Sequence, residues 1–172
     1  MVLGMSLATF TMVHVIISLI GIVSGIIVMF GMFGMFGSHR PGGLTAIFLL
    51  FTILTSVTGF PFPFEGFKPS YVIAVLSLVL LAIACVALYG MKLNGAWRWI
   101  YAVTALVSLY LNCFVLVIQS FLKIPVLTAL APGNPPSGPV FGAVQGIVLL
   151  FFIVAIVGAV KRFRPGPALA VS

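Results

Sequence analysis

Residues 71–90 read YVIAVLSLVLLAIACVALYG, twenty positions without one charged side chain. At about 1.5 Å of rise per residue, a helix of that length crosses the ~30 Å hydrocarbon core of a bilayer. The run shows no strand-period alternation of polar and apolar residues, so it does not read as a strand of a membrane β-barrel. Similar runs flank it at 7–32, 44–60, 99–122 and 140–160. Proline separates them: all eleven prolines, at 41, 61, 63, 69, 125, 132, 135, 136, 139, 165 and 167, fall in the gaps between apolar runs. A proline inside a helix costs about 3 kcal/mol, so this segregation marks loops.

The whole composition agrees. Hydrophobic residues make up 63% of the 172, charged residues 5%, and mean hydropathy is +1.38. A soluble domain carries roughly 25% charged residues to wet its surface. The expectation is an all-α membrane protein, a bundle of about five transmembrane helices forming one transmembrane domain over residues 1–172. The first run lacks a basic segment before it and a small-residue cleavage site after it, so it reads as a membrane span and not as a signal peptide.

Eight Lys and Arg face a single acid, Glu65, for a net charge of +7. The basic residues stand singly at segment ends, apart from Lys161, Arg162 and Arg164. That pattern belongs to topology signals and headgroup contacts, and no basic face or recognition motif suggests nucleic acid. With five spans, Arg40, Lys92, Arg98, Lys161, Arg162 and Arg164 share the C-terminal side, and Lys68 and Lys123 the N-terminal side. The excess places the N-terminus outside and the C-terminus in the cytoplasm.

Polar residues sort onto helix faces at 100° per residue. Thr11, His14, Ser18, Gly21 and Gly25 share a sector of the first run, including a GxxxG that permits close helix approach. Tyr101, Thr104, Ser108, Asn112, Gln119 and Lys123 form one stripe along the fourth. Thr45, Thr52, Ser56 and Gly59 group on the second, and Gly142, Gln145 and Gly146 at one end of the fifth. Ser, Thr and Gly positions read as bundle packing. Strongly polar groups at membrane depth are functional candidates. His14, Gln119 and Gln145 fall near the outer end, Asn112 near mid-membrane, and Glu65, Lys68 and Lys123 in or beside the outer loops. These seven are the candidate ligand-binding residues; no catalytic or metal set is expected.

Much chemistry is set aside by what the chain lacks. His14 and His39 lie at opposite ends of the first helix, roughly 37 Å apart, so they cannot hold one haem between them within a protomer. With one acid there is no carboxylate pair for acid–base work or a di-iron site. Cys85 and Cys113 lie in separate apolar runs at depths about 15 Å apart, too far for a disulfide. No phosphate-binding loop, dinucleotide fingerprint or nucleophile elbow occurs in a plausible context. Three readings remain. A binding or accessory subunit would hold a lipid or quinone near the outer leaflet, beside a larger membrane complex or a second copy. A small oligomeric transporter or proton conductor would use the stripe on the fourth helix and His14. An enzyme on a membrane-embedded substrate would use His14 as base, helped by Glu65 or Lys68.

TSVTGFPFPF (55–64) and GAWRWIYAVTALVSLYLNCFVLVIQSFLKIPVLTALAP (95–132) resemble a family of uncharacterised small polytopic bacterial inner-membrane proteins. The resemblance implies a bacterial inner-membrane location and no activity. SHRPGG (38–43) is similar to the His-Arg-x-x-Gly start of helices in some histidine-bearing bacterial membrane families. No haem function follows from it, because the second histidine at membrane depth is missing. A C-terminal fluorescent-protein fusion is expected to fluoresce and a C-terminal alkaline phosphatase fusion to stay inactive; the opposite pair of results would invert the topology.

Overall fold

The computed structural model describes residues 4–35, 42–62 and 69–164. Six α-helices follow in order: α1 Leu7–Met32, α2 Gly43–Thr58, α3 Pro69–Cys85, α4 Trp97–Lys123, α5 Pro125–Leu130 and α6 Pro139–Arg162. A π-helical turn, Val86–Gly90, prolongs α3. No strand occurs among the described residues. The protein is an all-α membrane bundle. Four helices, Leu7–Met32, Tyr71–Gly90, Trp97–Lys123 and Pro139–Arg162, are long and apolar enough to cross a bilayer. The second, α2, has 16 residues, about 24 Å, and is apolar but shorter.

Local chemistry explains the boundaries. The Ser6 side chain accepts from Thr9 N–H at 3.1 Å and caps α1. Pro69, Pro125 and Pro139 each open a helix, where a missing N–H costs nothing. Pro125 also ends α4, because the residue before a proline is pushed out of the helical region; Ile124 sits at φ −95°, ψ 113°. The short α5 that follows lies in a segment whose prolines alone suggested a loop. Between α3 and α4 the chain turns through Lys92 and Leu93 at φ 49° and 58°. This left-handed conformation costs a residue with a β-carbon roughly 1–2 kcal/mol. Leu93 offsets it by burying its side chain in the core, 4% exposed, and by donating its N–H to the Ala87 carbonyl at 3.0 Å.

The long central helix is α4, which touches each of the other five. Its face Tyr101, Thr104, Ser108 and Asn112 is buried. Antiparallel to α1 runs α2: Thr58 meets His14, and Phe48 meets Gly25. So α2 lies alongside most of α1 at the same depth. Mainly, α6 packs on α4, through ring pairs such as Tyr110–Phe152 at 5.6 Å and Phe121–Phe141 at 5.4 Å. Arg98 Nη1 donates to the Phe163 carbonyl and ties the start of α4 to the end of α6. Large apolar side chains cover the outside, with Val23, Ile147, Leu150 and Val154 all more than half exposed. In a soluble protein such a surface would aggregate; facing lipid it is the expected one.

The tightest approach is at Gly25. A β-carbon there would lie 2.7 Å from Leu109 Cδ1 and 2.8 Å from the Phe48 ring. One turn away, a β-carbon on Gly21 would lie 3.3 Å from the Thr52 backbone nitrogen. The GxxxG of α1 is therefore the crossing point with α2 and α4. By contrast, a β-carbon at Gly142 or Gly146 would meet nothing within 4 Å. Gly25→Ala is expected to destabilise the bundle by about 1–3 kcal/mol through overpacking, while Gly142→Ala leaves the unfolding midpoint in the same detergent unchanged. Equal midpoints for the two variants would show that the crossing is not tight.

Candidate functional site

The hydroxyls at membrane depth mostly bond within their own helices. Ser24 donates to Ile20 O at 2.6 Å, Thr52 to Phe48 O at 2.7 Å, Ser56 to Thr52 O at 3.1 Å, Thr104 to Ile100 O at 2.8 Å and Ser108 to Thr104 O at 2.9 Å. Their small size lets helices close up, but they supply no hydrogen bond between helices. The polar stripes of α1, α2 and α4 are thus largely self-satisfied in the half of the bundle nearest the end of α1. There Val28, Met29, Phe48, Leu81, Leu106 and Leu109 are at most 1% exposed. The Tyr101 hydroxyl is buried there beside Thr45 without a hydrogen bond of full geometry.

In the other half the same helices leave a cavity of about 140 Å³ between α1, α2, α3 and α4. His14 and Ser18 line it from α1, Ser77 from α3, and Asn112 and Gln119 from α4. Gln119 is exposed at the mouth, and Asn112, 9% exposed, lies toward the floor just above the Leu109 contact with Gly25.

His14 is held in one tautomer by its neighbour. Thr58 Oγ1 lies 2.7 Å from the Leu54 carbonyl oxygen and 2.7 Å from His14 Nδ1. A carbonyl has no hydrogen to give, so the threonine hydroxyl donates to Leu54 O. His14 Nδ1 then carries the hydrogen that Thr58 accepts, which leaves Nε2 of the neutral ring as an acceptor. No described side chain donates to that nitrogen. Phe62 packs edge-on against the imidazole at 5.2 Å and tilted against Phe10 at 5.0 Å, so aromatic rings cover this end of α1.

The Asn112 amide has the opposite need. Its Nδ2 group is buried and meets no acceptor. A buried amide left unpaired costs about 1–3 kcal/mol. The two ends of the amide exchange by a half-turn about its last torsion, so it can meet an incoming group as donor or acceptor. Ser18 and Ser77, unlike the hydroxyls of the packed half, have no bond to a backbone carbonyl among the described residues. One cavity thus collects a histidine acceptor, an amide and two hydroxyls, all without partners among the described residues.

Of the residues singled out from the sequence, His14, Asn112 and Gln119 line this cavity. Lys123 is exposed in the last turn of α4, close enough to act electrostatically on His14. Gln145 is elsewhere: it reaches from α6 to the far side of α4, donating to Phe114 O at 3.1 Å, with Oε1 buried and unpaired. Glu65 and Lys68 lie outside the described residues. Thr58 and Ser77 were not legible as site residues. Ser77 had one signal, as the sole serine or threonine between 71 and 90. Thr58 had none, since its role is set by the antiparallel register of α2 on α1. Among the described residues no three His, Cys, Asp or Glu come together as a metal site, and both cysteines are free and half-buried.

Comparison with protein-family models, with curated proteins and with solved structures finds no match to this chain. The reading of the site therefore rests on its geometry. Asn112→Leu, which removes the unpaired amide at similar volume, is expected to stabilise the ligand-free bundle by about 1–3 kcal/mol, whereas Ser108→Ala is close to neutral. Thermal unfolding of delipidated protein checks this; a destabilised Asn112→Leu would show that the amide is already satisfied.

Proposed function

We propose that this chain is a non-enzymatic binding or accessory subunit of a bacterial inner membrane, holding a lipid-like or quinone-like molecule near the outer leaflet. The observation that carries the reading is the convergence of partnerless polar groups on one membrane-depth cavity. Polar groups are expensive in hydrocarbon, and in native proteins they are nearly always bonded. Here Ser24, Thr52, Thr104 and Ser108 of the packed half bond to their own backbones, with the Tyr101 hydroxyl the exception, whereas Ser18, Ser77, Asn112 and the His14 ring line a space with room for a guest. A largely apolar pocket with a few placed polar groups is the usual form of a small-molecule site.

Three further observations support the details. Six Lys and Arg against two favour the C-terminus in the cytoplasm, which puts the His14 end of the bundle outside. A single acid in the sequence favours holding over catalysis. The solid packing of Phe48, Leu81, Leu106 and Leu109 beneath the cavity favours holding over the alternative of an oligomeric transporter or proton conductor, which needs a polar path to the other side. A larger membrane complex or a second copy would then receive the bound molecule, and nucleic acid has no part in it.

The test is purification in native lipid followed by mass spectrometry of what co-elutes. The wild type is expected to retain a defined lipid-soluble molecule, and Asn112→Leu or His14→Leu to lower its occupancy by at least about tenfold, equivalent to about 1.4 kcal/mol. Gln145→Leu, on the far side of α4, is expected to retain it. Retention of bulk phospholipid alone, unchanged across the variants, would overturn the proposal.

A further inference from the structure

The cavity has a shape as well as a set of polar groups. Gly25 opposite Leu109 in antiparallel helices sets Asn112 about level with residue 22, eight residues and so roughly 12 Å deeper than His14. The acceptor nitrogen of His14 is near the mouth and the amide of Asn112 near the floor, with Ser18 and Ser77 on the walls between. A bound head therefore meets hydrogen-bonding groups at two opposite ends, and the group at the mouth must be a donor. The volume, about 140 Å³, is close to the roughly 150 Å³ of an engineered cavity in another protein that accepts benzene.

Val15, Leu19 and Leu116 line the cavity and are 40%, 42% and 36% exposed. They lie on α1 and α4, at heights between His14 and Asn112. Below them the two helices close at Gly25 and Leu109. Exposed lining residues on both helices point to a side opening toward lipid between α1 and α4. Among the described residues, no Lys, Arg or acid lines the cavity.

The geometry points to a lipid-soluble quinol as the ligand class: an uncharged six-membered ring with hydroxyls at opposite ends and a hydrocarbon chain leaving from its side between α1 and α4. This inference rests on reading the cavity as a ligand site. In the quinol form a ring hydroxyl donates to His14 Nε2, and the far oxygen pairs with the Asn112 amide. A monoacylglycerol, whose chain continues from one end of its polar head, places its tail along the cavity axis and does not use the side gap.

A decyl-benzoquinol carrying a photoactivatable diazirine on its chain, added in the reduced form to the purified full-length protein in nanodiscs, tests this. Mapped adducts are expected on Val15, Leu19 or Leu116. Unlabelled decyl-benzoquinol should suppress them and monooleoylglycerol should not. Val15→Trp, a change on a lipid-facing position, is expected to cut labelling at least about tenfold; Val23→Trp, also lipid-facing but off the cavity, leaves it unchanged. Equal competition by monooleoylglycerol, or adducts spread evenly over Val23 and Ile27 as well, would overturn the quinol assignment while leaving a cavity ligand in place. If the native-lipid purification also retains no molecule dependent on Asn112, the ligand-site reading itself fails.

Discussion

The bundle depends on the place where α1, α2 and α4 meet at Gly25. No side chain fits between that α-carbon and the Phe48 and Leu109 side chains, so three helices come closer there than larger residues permit. In hydrocarbon there is little hydrophobic drive to bring helices together, and dispersion between closely packed surfaces has to supply it. Toward the end of α1 the contact continues as a solid apolar core. Toward its start, larger residues at 14, 15, 18 and 19 replace glycine, the helices part, and the cavity appears. Packing and site are two sides of one crossing.

Polar residues follow the same division. In the packed half a hydroxyl has a helix carbonyl one turn away and no room for anything else, so Ser24, Thr52, Thr104 and Ser108 are satisfied by their own backbones. In the open half Ser18, Ser77, Asn112 and the His14 Nε2 face space. The His14 ring is kept from turning by Thr58, whose own hydrogen is committed to Leu54. That arrangement turns an acceptor of fixed orientation toward the cavity.

Much of this was legible without a structure. The segregated prolines marked the breaks between apolar runs, the GxxxG of α1 marked a place of close helix approach, and the stripe Tyr101, Thr104, Ser108 and Asn112 marked one face of α4, which the structure buries. Each of these is a local or periodic signal. Gln145 shows where such signals stop. It is as polar as Gln119 and lies near the same end of the bundle, yet it faces Phe114 across α4 and not the cavity. Depth follows from position in a helix, but the neighbour a face meets depends on how the helices are arranged around one another.

Composition and periodicity by themselves determined that the chain is a helical membrane bundle, because a surface with 5% charge cannot be wetted and apolar runs of this length match a bilayer. They also determined which residues are costly at membrane depth. Only the tertiary structure decided which of those residues share a cavity, that Thr58 sets the His14 tautomer, and that the exposed part of the lining lies on α1 and α4. The physical reason is that hydropathy depends on the side chain alone, whereas a cavity is the space left after several helices have packed, and its lining comes from residues far apart in the chain.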